Sequence, residues 1–306
     1  MSQDSDPQVV SGLEGVLACS SAVCSIDGPA GVLTYRGYDI GDFVTGADFS
    51  DVAWLLWHGD WPDGTTSSDF ARLVASGREL PRSVVDLLAA APLDTANPMA
   101  VLRTAVSLLG ATDPTADDIS REAVVAKAAR LVGCLPTMVG AMSRLLAGDE
   151  PLEPLPAFSH SANFCWMVTG RLPTLRRAQA LNALLNTYAE HELNASTFAA
   201  RTTAGTQSDY WSAIVAGIGA VKGPLHGGAV DDAMAVFSEI GRPDGVVPFV
   251  EASLAARRKV PGFGHRVYRT RDPRAAAMDR LAAELGEEAG EPHWHAVATS
   301  LEAELR

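Results

Sequence analysis

Apolar side chains recur at Val124, Ala128, Leu131, Leu135, Met138, Met142 and Leu145, at spacings that alternate between four and three residues. That period predicts a helix with one apolar seam. Thr115-Ala116-Asp117-Asp118 ahead of it reads as a capping box. Pro136 predicts a kink, and Gly148 a stop. The seam suits either a protein core or contact with another subunit. A second helix is predicted from about Leu175 to Ala189, with Leu175, Ala178, Leu181, Leu185 and Tyr188 on one face. Ser208 reads as the N-cap of a third, whose Ala213, Ala216, Gly217 and Ala220 permit close approach of a neighbour. Ala229 to Ile240 is amphipathic. Asp149 to Phe158 holds Pro151, Pro154 and Pro156 and reads as a loop. Strand signals are few; Val32-Leu33-Thr34-Tyr35, flanked by glycines, predicts half of a small hairpin. There is no internal repeat and no low-complexity tract, so the fold class is all-α.

The chain has 306 residues, 47% hydrophobic and 20% charged, which suits one large globular domain or two unequal ones. A net charge of -13 argues against nucleic acid as the main partner. No run of 18 apolar residues occurs, so no membrane span is expected. The start, MSQDSDPQVV, lacks the basic and apolar regions of a secretory signal. Cys19, Cys24, Cys134 and Cys165 form no C-x-x-C pair and no metal spacing. Reduced thiols in a cytoplasm are expected, with a Cys19–Cys24 disulfide as the alternative.

Against that acidic background, residues 257–274 carry Arg257, Arg258, Lys259, Arg266, Arg269, Arg271 and Arg274 with one acid, Asp272, or 7 − 1 = +6. Such a patch points to a dense small anion as ligand. Within it, Gly262-Phe263-Gly264-His265 joins glycines that let backbone amides approach a ligand to a side chain that can move a proton near pH 7. Asp272-Pro273-Arg274 predicts an N-cap, a first-turn proline and a first-turn arginine.

Common catalytic signatures are missing. There is no G-x-S-x-G, no G-x-x-x-x-G-K-[ST] and no G-x-G-x-x-G. His191-Glu192-Leu193-Asn194 begins like H-E-x-x-H, but position 195 is alanine. His293-x-His295 reads as a solvated pair, and no metal site is expected. Three histidines remain. His191 follows a predicted helix, and taken alone also fits a helix C-terminus favoured by the macrodipole. His226 lies in Gly223-Pro224-Leu225-His226-Gly227-Gly228, just ahead of a helix. There the backbone potential favours a neutral imidazole, a donor suited to an enolate oxygen. The plain alternative is a Gly-Pro turn. His265, beside an anion, is expected as an imidazolium or as a donor to a carbonyl oxygen. Three histidines plus Arg274 suit a small polycarboxylate, because the arginine fork pairs a carboxylate at two points.

Several longer motifs share a pattern. Gly12-Leu13-Glu14-Gly15-Val16, Tyr35-Arg36-Gly37-Tyr38-Asp39-Ile40 and Ala53-Trp54-Leu55-Leu56-Trp57-His58-Gly59 resemble the amino-terminal signature of citrate synthases. His191 to Thr197, Gly223 to Gly228 and Pro261 to Tyr268 resemble that family's three histidine motifs, in the family's order. The resemblance implies a large helical domain, here 1–226, and a smaller one, 227–306, that closes on substrate in a homodimer. It implies condensation of oxaloacetate with acetyl-CoA, followed by hydrolysis of the citryl thioester, with no cofactor. His226 is similar to the histidine that stabilises the acetyl-CoA enol, and His265 to the one that polarises the oxaloacetate carbonyl. His191 and Arg274, with His226 and His265, resemble oxaloacetate ligands. CoA is expected against Val260, Pro261, Gly262, Phe263 and Gly264, with Arg257, Arg258, Lys259, Arg269 and Arg271 nearby. The family's base is an aspartate that follows the helix expected from about Arg274 to Leu285, and further carboxylate-binding arginines come later. The sequence given stops before them, so these 306 residues alone are expected to release CoA near background while keeping weak oxaloacetate binding. The alternatives are a 2-methylcitrate synthase that takes propionyl-CoA and a non-catalytic dicarboxylate- and CoA-binding relative.

Overall fold

The computed structural model describes residues 18–263 and 267–305. The Gly12–Val16 motif, Gly264, His265 and Arg266 therefore lie outside the described residues. A three-stranded antiparallel sheet comes first: β1 (Cys24–Asp27), β2 (Val32–Tyr35) and β3 (Tyr38–Asp39). Cys24 pairs with Tyr35 and Asp27 with Val32, so the predicted strand is one arm of a hairpin. Helices follow: α1 (Ile40–Phe43), α2 (Phe49–His58), α3 (Gly64–Ser76), α4 (Arg82–Ala90), α5 (Pro98–Thr112), α6 (Arg121–Leu146), α7 (His160–Thr169) and α8 (Leu175–Tyr188). Then come α9 (Ala195–Gly205), α10 (Tyr210–Val221), α11 (Ala229–Ile240), α12 (Val246–Ala255), α13 (Pro273–Ala289) and α14 (His293–Glu304). The small sheet apart, the chain is helical, as the periodicity predicts.

The predicted seam lies on α6, which runs unbroken through Pro136. Its stop is where Gly148 predicts: Gly148 has φ +79°, and the Asp149 amide bonds back to the Arg144 carbonyl. The start differs from expectation. Ser120, not Thr115, caps the helix. Residues 115–118 are instead held as a turn by the buried Lys127 ammonium, which donates to the carbonyls of Ala116 and Asp118. By length and composition α6 could cross a membrane, yet half of its most apolar window is buried inside the protein. Gly133 and Gly140 explain how it packs so closely. A Cβ on Gly133 would stand 2.3 Å from the Val74 carbonyl oxygen, and one on Gly140 would stand 2.7 Å from Met167 Cβ.

The N-cap of α10 is Asp209 rather than Ser208, with its carboxylate on the Ser212 amide. The small residues of α10 meet α9, where Gly217 approaches the Ser196 carbonyl and the Ala200 methyl. Opposite, Trp211 is 1% exposed; it packs with Leu109, Met138 and Met142 and donates its indole N–H to Asp113. Trp211→Ala should leave a large cavity and cost about 3–5 kcal/mol. Chemical denaturation measures that loss, and a cost below about 1 kcal/mol would show that the site collapses freely.

The face of α8 is not the one its apolar residues predict. Leu175 is 75% exposed and Tyr188 67%, while Ala180, Ala183, Asn186 and Thr187 are buried. The reason is polar docking. Asn182 and Asn186 donate to the carbonyls of Val44 and Ala47, and Asn182 accepts from the Phe49 amide, so two asparagines satisfy the α1–α2 junction.

In the last eighty residues Val236, Ile240, Val246, Phe249, Val250, Val297 and Leu301 form an apolar cluster of their own from α11, α12 and α14. The hairpin turn reaches this part of the chain. The Arg269 amide donates to the Gly28 carbonyl, and a Cβ on Gly28 would sit 2.3 Å from the Val267 carbonyl oxygen. Glycine is required where two backbones touch this closely.

Candidate active site

The segment between α8 and α9 carries His191, and the small sheet holds it in place. The Tyr35 hydroxyl lies within 3.0–3.2 Å of the carbonyls of Asn186, Thr187 and Glu190, and accepts the Glu190 N–H at 3.3 Å. Cys24 Sγ donates to the Glu190 carboxylate at 3.4 Å and accepts the Glu192 amide at 3.1 Å. Glu192 has φ +58°, a left-handed conformation that costs a residue with a side chain free energy. The sulfur contact offsets part of that cost. Burial, then the Glu190 charge, pushes the Cys24 thiol up to about 12, so it serves as a neutral strut and not a nucleophile. Burial also raises the Glu190 carboxyl, against the hydrogen bonds it accepts.

The His191 ring meets the edge of Tyr268 at 5.7 Å and 72°. Tyr268 comes from the basic segment and is 3% exposed. Its phenol is pushed up to about 12 by burial and then by the Asp272 charge. Asp272 caps α13 as predicted, with Pro273 at the first helical position. Its carboxylate takes the Arg274 amide at 2.9 Å and the guanidinium at 3.0 Å and 2.6 Å. The Arg274 guanidinium lies 5.8 Å from the Tyr188 ring centroid. Burial alone would lower the Arg274 pKa; the Asp272 hydrogen bonds and charge outweigh it, and the net shift is upward. Arg274 is thus a secured cation, pre-oriented by its own N-cap.

His226 approaches the same segment from the loop ahead of α11. Its Nε2 is 2.9 Å from Ser196 Oγ, and Ser196 Oγ is 2.7 Å from Asn194 Oδ1. Asn194 also caps α9 through the Thr197 amide. Ser196 has a single proton to give. Directed at Asn194, it leaves a lone pair for an Nε2–H. Directed at Nε2, it puts the imidazole proton on Nδ1, where it can be donated to a ligand. The role of enol donor needs the second arrangement. Seven consecutive residues, 191–197, thus carry His191 and the anchor of His226, and the sheet behind them sets both.

The expected CoA residues divide. Arg258 pairs with Glu239 at 2.8 Å and stacks on Phe249 at 5.2 Å. Arg271 pairs with Asp279 at 3.2 Å and Glu302 at 3.0 Å. Both tie the C-terminal helices together. Arg257, Lys259 and Arg269 have exposed side chains, and Gly262, at φ +89°, has open space over its Cα. Val260 packs on the C-terminal cluster, and Pro261 and Phe263 continue the same loop. His293 and His295 take separate carboxylates, Glu291 and Asp279. Ser196, Asn194, Tyr268, Tyr35 and Cys24 are the contributors that residue-type reasoning did not single out. Ser196 and Asn194 lay inside a quoted motif, but the hydrogen bond of Ser196 to His226, thirty positions away, leaves no local signal.

Residues 12–306 match the family described as "Citrate synthase, C-terminal domain". The chain belongs to the citrate synthase family. It is 40% identical over 291 residues to citrate synthase 2 of Bacillus subtilis, covering 95% of this chain and 78% of that one. It is 39% identical over 302 residues to 2-methylcitrate synthase of Mycobacterium tuberculosis, covering 99% and 76%. Among solved structures, citrate synthase from Pyrobaculum aerophilum superposes with TM-score 0.90 at 34% identity, over 97% of this chain and 76% of that one. The Thermoplasma acidophilum citrate synthase in ternary complex with carboxymethyl coenzyme A and oxaloacetate gives 0.91 at 30% identity, over 97% and 78%. The family and all-helical fold implied by the motifs are therefore borne out.

Proposed function

We propose that this citrate synthase family chain binds oxaloacetate between His191, His226 and Arg274 for condensation with acetyl-CoA to citrate. The observation that supports this most is the junction at residues 190–197. One short segment presents His191 toward Tyr268 and anchors His226 through Ser196. Arg274 enters beside Tyr268, already a cation. In the proposed reaction a base removes a methyl proton from the thioester, and His226 donates to the enol oxygen that forms. The enol carbon then attacks the oxaloacetate carbonyl, and water cleaves the resulting citryl thioester to citrate and CoA. His265 is assigned the polarisation of that carbonyl from its motif. Of the nearby carboxylates, Glu190 is engaged by Cys24 and Asp272 by Arg274, so neither is assigned as the base. We place the division between the large and small domains at 226/227, and the working form as a cytoplasmic homodimer.

Oxaloacetate is expected to raise the melting temperature, because a ligand that binds only the folded state adds stability by mass action. A thermal shift series with oxaloacetate tests this, and a flat response would reject the dicarboxylate site. The Mycobacterium tuberculosis relative keeps propionyl-CoA open as the acyl donor. Thiol release from acetyl-CoA and propionyl-CoA by the catalytically active protein, under matched conditions, decides between them.

For CoA, the exposed Arg257, Lys259 and Arg269 are the proposed phosphate contacts. Their attraction is screened by salt, so CoA affinity is expected to fall between low and physiological ionic strength. Titration at two salt concentrations measures it. A salt-independent affinity would assign these charges to the solvated surface.

A further inference from the structure

The β1–β2 hairpin touches two segments of the proposed oxaloacetate site, one at each end. At one end of the ladder Cys24 pairs with Tyr35. Both side chains of that pair hold the chain around His191: Cys24 Sγ bonds to Glu190 and Glu192, and the Tyr35 hydroxyl accepts the Glu190 amide. At the other end Asp27 pairs with Val32, and residues 28–31 turn the chain between them. This turn meets residues 267–271. The Arg269 amide donates to the Gly28 carbonyl at 3.0 Å. A Cβ on Gly28 would stand 2.3 Å from the Val267 carbonyl oxygen. One on Gly31 would stand 2.4 Å from Thr270 Oγ1 and 3.3 Å from the Arg271 carbonyl oxygen.

The hairpin is suited to hold these two grips at a set distance. The Asp27 carboxylate accepts the Ala30 amide at 2.9 Å, which fixes the turn. The four residues of β2 span about 10 Å. Their register cannot slip, because Leu33 and Tyr35 share one face and are both 0% exposed, and a one-residue shift would turn them outward. The contact at the turn end buries little apolar surface: Val267 is 39% exposed and Thr270 is exposed. Its effect is therefore placement and not core burial. What it places is Tyr268, whose ring edge meets His191, and the chain that runs through Asp272 into Arg274.

We infer that the 28–31 turn is a positioning element of the oxaloacetate site. Through its backbone contact with residues 267–271 it seats Tyr268 against His191, so the hairpin gauges the separation of the 190–197 segment from the segment that leads into Arg274. The inference rests on the assignment of His191 and Arg274 as oxaloacetate ligands. Gly28 is its positioning residue. Gly28 is not among the glycines at positive φ, so alanine there leaves its own backbone unstrained and acts by pushing the Val267 carbonyl away.

Two measurements on the 306-residue chain test it. The first is calorimetric titration of oxaloacetate. Gly28→Ala is expected to weaken binding by about tenfold or more, because a displacement of about 1 Å spoils a site that pairs a carboxylate at two points. Thr270→Ala removes the side chain that rests on Gly31 and, being on the surface, keeps the fold; its loss should be smaller and in the same direction. Val84→Ala, in the buried cluster of α4 to α6, should lower the melting temperature yet bind oxaloacetate as the parent does. Parent-like affinity in both turn variants, or a loss in Val84→Ala that matches theirs at an equal fall in melting temperature, overturns the inference. The second measurement needs no ligand. The ring resonances of His191, set by the ring current of Tyr268, should move in both turn variants toward their position in Tyr268→Leu. Those of His58, which stacks on Trp54, should stay in place. His191 signals unmoved in both variants overturn the inference. A parent protein that binds no oxaloacetate overturns the dicarboxylate reading instead, and the histidine spectra still decide what the turn does.

Discussion

Arg274→Ala is expected to weaken oxaloacetate binding by about 2–5 kcal/mol, the cost of removing one partner of a desolvated charge pair. The folded protein should survive the change. The N-cap bond of α13 runs from the Asp272 carboxylate to the backbone amide of residue 274, which alanine keeps. What is lost is the fork that Asp272 and Tyr188 hold ready. Arg274→Lys separates charge from geometry. It retains the cation, but an ammonium cannot pair a carboxylate at two points, so part of the loss should remain. Calorimetric titration of oxaloacetate into the three proteins reads both effects. If Arg274→Ala binds as tightly as the parent, the arginine serves only the helix cap.

His226→Ala is expected to lower turnover in the catalytically active protein by about 10²–10³, as loss of one donor to a developing oxyanion does. The readout is CoA thiol release with oxaloacetate and acetyl-CoA. Ser196→Ala should cause a smaller loss of the same kind. The imidazole remains, but the hydroxyl that can select its Nδ1–H tautomer is gone. Oxaloacetate affinity should fall less than turnover in Ser196→Ala, since two of the three proposed ligands, His191 and Arg274, are held by other contacts, through Tyr35, Cys24 and Asp272. A Ser196→Ala protein with unaltered turnover would remove Ser196 from the site. Near-full turnover in His226→Ala would show that another group stabilises the enol.

Much of this was legible along the chain because its causes are local. The seam on α6, the stop at Gly148, the hairpin arm at Val32–Tyr35, the bounds of α11 and the Asp272-Pro273-Arg274 cap depend on neighbours within a few residues. A period or a capping side chain records such causes directly. The histidine motifs, matched as whole strings, carried the family.

What the chain did not disclose depends on partners distant in sequence. The buried face of α8 is set by asparagines that satisfy the α1–α2 junction, about 135 residues away, so hydrophobicity points to the wrong side. The turn at 115–118 is a turn because Lys127 folds back on it. The basic run 257–274 reads as one patch, yet Arg258 and Arg271 are paired with Glu239, Asp279 and Glu302. A local charge count does not see acids brought in by other helices. The orientation of His191 and His226 rests on Cys24, Tyr35, Ser196 and Tyr268. Residue types and short-range spacing determined what chemistry this protein carries. The packing of the small sheet and of Tyr268 against the 190–197 segment decided how those groups are aimed, because a hydrogen bond constrains atoms in space and leaves no period in the sequence.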